Sequence, residues 1–281
     1  MEALPILIIG KHGKTGSRVN RILQDLGYAT RGVSRSTAPA FDWDNENTWQ
    51  TAITGTKTAY VTFQPDLAVP GANETFDRFI GTAKAEGLEH IVLLSGRGEP
   101  GAEAAERILI ECGISWNVIR ASWFNQNFSE SFMLEGILAG HLMLPADNTL
   151  EPFIDIDDIA EVAVAALTRP ELKNRVFEVT GPEAITLDEC MRKISAVIGR
   201  EVKFTTVPID AYIDEINKQG LPPEMQWLLR ELFTVVFDGR NSNVVHGVEE
   251  ALGRPATSFD TWVRKTAATG VWNAAREQQF A

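Results

Sequence analysis

A glycine-rich segment between an apolar run and an amphipathic stretch limits what this chain can fold into more than any other feature. Residues 6–9, Ile-Leu-Ile-Ile, are wholly apolar, as in a strand buried on both faces of a sheet. A GxxGxxG loop follows, and apolar residues then recur at helical spacing until Gly27. A strand, this loop and a helix in that order predict a dinucleotide-binding turn, whose helix N-terminus attracts a pyrophosphate.

Each glycine of this loop has a separate predicted task. Gly10 lets the chain turn sharply out of the strand, Gly13 lets the backbone approach a pyrophosphate, and Gly16 lets the helix pack closely on the sheet. A P-loop is one alternative, but it requires a glycine where Ile8 stands within the strand. A tight turn that binds nothing is the other alternative. The predicted pyrophosphate-binding residues are Gly10, Lys11, His12, Gly13, Lys14, Thr15 and Gly16.

The residues after the second predicted strand indicate which dinucleotide the chain binds. Sites for NAD place an acidic residue there, whereas sites for NADP replace it with arginine. No carboxylate follows this strand until Asp42. Arg35 is placed to bind a 2′-phosphate, with added hydroxyl groups from Ser34 and Ser36. We therefore expect NADP(H) as the cofactor, and a solvated surface arginine is the alternative.

Strands and helices alternate through the first half of the chain. This alternation predicts βαβ units and an α/β fold with a doubly wound parallel sheet of the Rossmann type. We expect residues 1–150, with a returning strand near 175–180, to form the NADP-binding domain, and residues 181–281 to form a smaller C-terminal α/β substrate lobe. The predicted strands of the sheet are residues 6–9, 28–34, 59–63, 91–94, 116–119 and 175–179.

Charge and hydropathy exclude several classes of partner. The 38 acidic residues outnumber the 26 basic ones, which gives a net charge of −12 that repels nucleic-acid backbones. No apolar run approaches the roughly 20 residues that span a bilayer, and the N-terminal segment lacks the basic region of a signal peptide. Two cysteines cannot form a disulfide framework. We therefore expect a cytoplasmic protein with a small-molecule substrate, and neither nucleic acid nor a membrane as partner.

The chain lacks the catalytic pair that reductases of the short-chain dehydrogenase superfamily commonly use, a tyrosine with a lysine four residues later. Its three tyrosines are followed at that distance by glycine, glutamine and isoleucine, so this mechanism is excluded. The four histidines are isolated, and no metal site is predicted. Asp155, Asp157 and Asp158 lie close together in sequence, but we expect one of them to cap a helix that begins at Ile159.

Several motifs resemble the NmrA-like group of atypical short-chain dehydrogenases. They are the glycine loop, Val-Ser-Arg at 33–35, IRASWFNQNF at 119–128, PFIDIDDIAEV at 152–162 and FEVTGP at 177–182. The resemblance covers most of residues 4–200 and weakens beyond them. It implies an NADP-preferring Rossmann domain with a small substrate lobe. Members of the family include quinone and triphenylmethane-dye reductases, isoflavone-reductase-like enzymes, and redox sensors that bind NADP without turning it over.

The resemblance also implies site residues outside the glycine loop. Ser95 and Asn125 are the nearest polar groups by family position, so they are the candidate catalytic residues. A serine can relay a proton and an asparagine can polarise a carbonyl, although both side chains could instead hold the nicotinamide carboxamide or a loop. Ala102 stands where several reductase relatives carry a catalytic lysine. The residues implied to line the cofactor are Thr62, Phe63, Ser95, Gly96, Ser122, Trp123 and Phe124.

These observations predict an NADPH-dependent oxidoreductase that transfers hydride to a small aromatic, quinone-like or conjugated acceptor. Because no residue is an obvious general acid, we expect solvent to supply the proton. One alternative is a non-catalytic NADP(H)-binding sensor that regulates a partner protein, and another is a non-redox isomerase or lyase. Aromatic side chains that could wall the substrate pocket, or simply pack in the core, are Trp123, Phe124, Phe128, Trp227, Phe233 and Phe237.

Overall fold

The computed structural model describes residues 4–218 and 220–273, which divide into two compact units. Unit 1 contains the described residues up to Ala121, together with Ile156–Val179 and His246–Pro255. Unit 2 contains Ser122–Asp155, Thr180–Val245 and the described residues from Ala256 onwards. This division differs from the predicted boundary at residue 150, because apolar side chains of 122–155 belong to the hydrophobic core of unit 2. Residues 274–281 of the predicted lobe lie outside the described residues.

Unit 1 is built on a six-stranded parallel sheet with the strand order β2-β1-β3-β4-β5-β7. This sheet and its flanking helices confirm the predicted α/β fold of the Rossmann type. The predicted strands are all present, with ends shifted by up to two residues. In chain order the strands are β1 (Ile6–Ile9), β2 (Thr30–Val33), β3 (Thr58–Val61), β4 (His90–Gly96), β5 (Ser115–Ala121), β6 (His141–Leu144), β7 (Arg175–Val179) and β8 (Lys203–Thr206).

Helices cover both faces of this sheet, which explains why all four residues of β1 are buried. Helices α3 and α4 pack against one face of the sheet. Helix α6 packs against α1 and against the central strands β3, β4 and β5. In chain order the helices are α1 (Lys14–Asp25), α2 (Trp49–Ile53), α3 (Ala72–Ala85), α4 (Pro100–Glu111), α5 (Leu134–Ala139), α6 (Ile156–Thr168), α7 (Leu187–Ile198), α8 (Ile209–Lys218), α9 (Pro223–Glu231), α10 (Gly247–Leu252) and α11 (Phe259–Ala267).

The strand order reverses at β1, since β2 pairs with one edge of this strand and β3 with the other. The loops after β1 and β3 therefore leave the sheet in opposite directions, and a crevice opens between them at the carboxyl edge. Such switch points are where doubly wound sheets bind their ligands. This topology places the glycine loop at the position that the sequence predicts.

Unit 2 contains a short parallel pair, β6 with β8, and a core of its own. Helix α7 begins with a capping box, in which Thr186 and Glu189 satisfy each other's backbone N–H groups. Three elements of six residues or fewer, α5, β6 and α10, are absent from the prediction, because so short a segment shows too little periodicity. Within the described residues, no helix has the length and apolarity needed to cross a membrane.

Candidate functional site

The loop between β1 and α1 is held by its own backbone. Gly13 donates its N–H to the carbonyl oxygen of Gly10 over 2.8 Å. Gly10 has φ of +84°, a conformation that favours glycine, and a Cβ on it would lie 2.2 Å from Oγ1 of Thr62. A Cβ on Gly16 would lie 2.3 Å from the carbonyl oxygen of Gly10. The fold itself therefore requires two of the three glycines.

Gly13 differs from the other two glycines, because a Cβ on it would approach the rest of the protein less closely. The nearest atom to a Cβ on Gly13 would be the Gly10 carbonyl oxygen, at 3.2 Å. Gly13 is the N-cap residue of α1, and it has no side chain to cap the helix. The first N–H groups of a helix lack acceptors within it, and with the helix dipole they attract an anion. This end of α1 can therefore receive a phosphate close to the backbone.

The turn after β2 is held by hydrogen bonds among its own residues. Ser34 donates its N–H to Oγ1 of Thr37 over 2.8 Å, and its carbonyl oxygen accepts from the N–H of Phe41 over 2.9 Å. The N–H of Ser36 donates to Oγ of Ser34. Arg35, at the tip of this turn, is exposed, and it has no ion-pair partner among the described residues. The turn therefore presents an unneutralised guanidinium beside two hydroxyl groups.

A cleft of about 640 Å³ lies at this carboxyl edge, where β1, β2 and β3 end. It joins the glycine loop to the Arg35 turn, at the switch point of the sheet. Two other residues predicted to bind the pyrophosphate do not line the cleft. The methylene carbons of Lys11 lie over Gly32 of β2, and Thr15 is buried. The predicted cofactor-binding residues that line the cleft are Gly10, His12, Gly13, Ser34, Arg35, Ser36 and Thr62.

Sequence reasoning missed part of the cleft wall, namely Asp42, Trp43 and Asp44. The indole Nε1 of Trp43 donates to the carbonyl oxygen of Thr62 over 3.1 Å, which ties this segment to the end of β3. Phe63, predicted to line the cofactor, packs on Trp43 with ring centroids 4.5 Å apart. The two carboxylates can accept hydrogen bonds from hydroxyl or amino groups of a ligand. Only the alternation of aromatic and acidic residues at 41–44 signals this wall in the sequence.

Ser95, a candidate catalytic residue, belongs to a buried polar network in unit 1. Its hydroxyl donates to Oε1 of Glu106 over 2.5 Å, and Arg120 donates to both oxygens of the same carboxylate. The hydrogen bond with Glu106 raises the pKa of Arg120. Arg97 pairs with Glu178 at 2.6 Å, and Arg120 lies 3.7 Å from that carboxylate. Two arginines and two glutamates thus balance in charge beside the end of β4.

The candidate residues Ser122 to Asn125 belong to unit 2. Asn125 is wholly buried, and neither its amide nitrogen nor its amide oxygen has a hydrogen-bond partner among the described residues. The same holds for the Ser122 hydroxyl. Backbone bonds fix this segment, since Asn125 donates to Ile154 over 2.8 Å and Ile154 donates to Trp123 over 2.9 Å. Phe124 and Ile154 form an isolated parallel β-bridge. Unsatisfied buried polar groups are rare, so they mark this segment as a candidate binding element.

The predicted aromatic wall is only partly assembled in unit 2. Trp123 contacts Phe233 and Phe237, with ring centroids 5.3 and 4.9 Å apart. Phe128 instead lies in the hydrophobic core, and Trp227 is 39% exposed on α9. Core packing therefore accounts for Phe128, Phe233 and Phe237, and Trp123 packs against the same core.

Two of the three tyrosines have a pKa that is shifted by their surroundings. Burial raises the pKa of Tyr60, and burial also raises the pKa of Tyr212 to about 12, which makes both poorer proton donors. Ala102 is fully buried in the core of unit 1. Among the described residues, no group of three or more His, Cys, Asp or Glu side chains could hold a metal.

The predicted capping role of the three aspartates needs one correction. Helix α6 begins at Ile156, earlier than the predicted Ile159. Asp157 and Asp158 therefore lie within its first turn, where they pair with Arg18 and Arg254, each at 2.8 Å. Asp155 accepts a hydrogen bond from Gln126 in unit 2.

The model of the NmrA-like family matches residues 104–262 of this chain. The chain belongs to the NmrA-like family. Among curated proteins, an NAD(P)H azoreductase of Xenophilus azovorans is 25% identical, over 94% of this chain and 98% of its own length. A Staphylococcus aureus structure described as a nucleoside-diphosphate-sugar epimerase has a TM-score of 0.80 at 15% identity, covering 93% of this chain and 100% of its own.

An Escherichia coli NADPH-dependent quinone oxidoreductase in complex with NADPH has a TM-score of 0.78 at 19% identity. The match covers 92% of this NmrA-like chain and 99% of the quinone oxidoreductase. At such identities the two solved structures support the fold alone. The family match confirms the resemblance that the sequence motifs predict.

Proposed function

We propose that this NmrA-like protein is an NADPH-dependent reductase that transfers hydride to a small aromatic, quinone-like or conjugated acceptor. The observation that carries the proposal is the cleft at the switch point of the sheet. It combines the N-terminus of α1 with the unpaired guanidinium of Arg35 and two serine hydroxyls. The names of the similar azoreductase and quinone oxidoreductase support the same chemistry.

The residues of the cleft fit the parts of NADPH. The loop at 10–16 would hold the pyrophosphate, since Gly13 offers backbone without a side chain. Arg35, with Ser34 and Ser36, would hold the 2′-phosphate through charge-assisted hydrogen bonds. Asp42 and Asp44 would accept hydrogen bonds from the adenosine. When bound, the cofactor supplies the hydride, and this chain binds and orients it.

The candidate catalytic residues have different proposed roles. Because the Ser95 hydroxyl donates a hydrogen bond to Glu106, we assign it a positioning role near the end of β4. The unpartnered amide of Asn125 would polarise a carbonyl oxygen of the acceptor. Thr62, Phe63, Gly96 and the segment at 122–124 remain proposed cofactor-lining residues.

Cofactor titration and acceptor turnover test the proposal. We expect NADPH to bind more tightly than NADH, and quinones or azo dyes to cause oxidation of NADPH. Equal binding of the two cofactors would contradict the role of Arg35. If the protein binds NADPH but none of the tested acceptors causes oxidation of NADPH, the result would instead fit an NADP(H) sensor that acts on a partner protein.

A further inference from the structure

A histidine of the glycine loop lines the cleft of unit 1. His12 lies between Gly10 and Gly13, whose backbones are joined by a hydrogen bond of 2.8 Å that closes a four-residue turn. The turn is therefore held without the imidazole. The side chain of His12 is exposed, and it makes no hydrogen bond or ion pair with the described residues. The ring is thus available to a ligand in the cleft.

The charged side chains in the wall of the cleft come from two other segments. Of the described residues that line it, Arg35 is the other one that can carry a positive charge, and Asp42 and Asp44 are acidic. Oδ1 of Asp42 accepts from the backbone N–H of Asp44 over 3.2 Å. Neither carboxylate pairs with His12 among the described residues.

The glycine loop and the helices behind it carry further charges. Lys11 precedes His12 and extends its methylene carbons over β2, while Lys14 is the first residue of α1. Helix α6 packs on α1, and its Asp157 pairs with Arg18 at 2.8 Å. In the part of the chain that the structure describes, no acidic group is therefore paired with His12, and an anionic ligand can take that place.

Histidine differs from the other cations of the site because its charge changes close to neutral pH, around an ordinary pKa of about 6.5. A protonated imidazole donates from both ring nitrogens, and its hydrogen bonds to phosphate oxygens are strengthened by charge. A pyrophosphate diester stays anionic throughout this pH range, so it favours the protonated ring. By linkage, a ligand that prefers the protonated protein takes up a proton on binding, and its affinity rises as the pH falls.

We propose that protonated His12 is an ionic ligand of the cofactor pyrophosphate, so that cofactor binding takes up a proton and tightens in mildly acidic solution. The proposal rests on the cofactor site of the proposed reductase. His12 adjoins Gly13, the N-cap residue of α1, whereas Arg35 lies on the turn after β2. The permanent charge of Arg35 then serves the 2′-phosphate of NADPH, and the titrating charge of His12 serves the pyrophosphate that NADPH and NADH share.

ADP-ribose is the probe for this role, because it carries the pyrophosphate but lacks the nicotinamide and the 2′-phosphate, a group that itself titrates near pH 6. Calorimetry measures its affinity at pH 8.0 and 6.0. In the wild type we expect the affinity to rise about fivefold on acidification, the size of one solvent-exposed charge contact. In His12→Gln the affinity should not rise. His12→Lys should bind tightly at both pH values, because lysine keeps its charge.

His246→Gln is the matched control, since it removes an exposed histidine that does not line the cleft. This variant should show the wild-type rise in affinity. Titrations at pH 7 in buffers of different ionisation enthalpy give a second readout, the number of protons taken up per ADP-ribose. The wild type and His246→Gln should take up a fraction of a proton, and His12→Gln should take up none.

Titration with NADP⁺ separates failure of this role from failure of the cofactor site. If NADP⁺ binds, and the pH dependence or proton uptake with ADP-ribose is the same in the wild type and His12→Gln, the role of His12 is rejected while the cofactor site stands. Binding of NADP⁺ without any binding of ADP-ribose also rejects the pyrophosphate contact. If the wild type binds neither ligand at either pH, the cofactor site fails, and the proposed reductase function fails with it.

Discussion

The hydroxyl of Ser95 donates a hydrogen bond to the Glu106 carboxylate over 2.5 Å, and both side chains are almost wholly buried. Ser95 is the penultimate residue of β4, whereas Glu106 lies on α4, so the bond joins the carboxyl edge of the sheet to the helix that follows. The same carboxylate accepts from Arg120 on β5. This geometry holds the loop between β4 and α4 in place. It also directs the serine proton to the Glu106 carboxylate.

Replacing Ser95 with alanine should therefore affect stability as well as rate. We expect Ser95→Ala to lower the free energy of unfolding by about 1.5–3 kcal/mol, the range for a hydrogen bond to a charged group. The reduction rate should fall by no more than about 10²–10³. Denaturant unfolding and turnover with a quinone measure the two effects. Ser17→Ala, which removes an exposed hydroxyl on α1, is the control, and a Ser95 variant as stable as this control would contradict the structural role.

Arg35→Ala should weaken NADPH binding by about 1.5–3 kcal/mol and leave NADH binding almost unchanged, because only NADPH carries the 2′-phosphate. Titration of both cofactors measures the difference. Arg21→Ala is a suitable control, since Arg21 is also exposed and lies on α1 outside the cleft lining. Equal losses for the two cofactors would show that Arg35 does not contact the 2′-phosphate.

Gly13 and Gly16 should respond differently to the same substitution. Gly13→Val is expected to fold after a small shift of the Gly10 carbonyl oxygen, which would lie 3.2 Å from its Cβ. It should lose both cofactors, because a side chain there would keep a pyrophosphate away from the backbone. Gly16→Val is expected to destabilise the protein strongly, since its Cβ would lie 2.3 Å from a backbone oxygen. Thermal melting with and without NADPH distinguishes these effects. Binding of NADPH by a folded Gly13→Val variant would overturn the pyrophosphate assignment.

His90 should make stability depend on pH in mildly acidic solution. Its buried ring contacts the carbonyl oxygen of Ala166 and the Ser115 hydroxyl, each at 3.1 Å, and burial lowers its pKa below the ordinary 6.5. Below pH 6.5 the unfolded chain binds a proton that the folded protein resists, so this contribution is complete above 6.5 and is lost as the pH falls towards the lowered value. The loss is at most about 1.4 kcal/mol per pH unit.

Unfolding of the wild type and His90→Gln at pH 7.5 and 5.5 measures this contribution. The variant should lose less stability between the two pH values than the wild type. His141→Gln, an exposed histidine on β6, should keep the wild-type difference. Identical pH dependence in the His90 variant would show that another group is responsible.

Residues adjacent in sequence account for the parts of the site that were predictable. The glycine loop needs only a strand, three glycines and a helix in succession, so spacing alone places it at a helix N-terminus. Arg35 follows the next strand, and parallel strands end at one edge of the sheet. The fold class followed from the same alternation of elements, since β1, β3 and β4 contain runs of apolar residues that could be recognised.

The remaining features depend on which distant segments pack together. Trp43 reaches the end of β3 through a single hydrogen bond, which carries Asp42 and Asp44 into the cleft.

The sequence alone was thus sufficient for the sheet, the place of the glycine loop and the family, because these depend on local periodicity and spacing. The acidic cleft wall and the assignment of residues 122–155 to unit 2 were decided by tertiary packing. The physical reason is that burial, hydrogen bonding and charge pairing arise between side chains far apart in the chain, and no local pattern records which of them will meet.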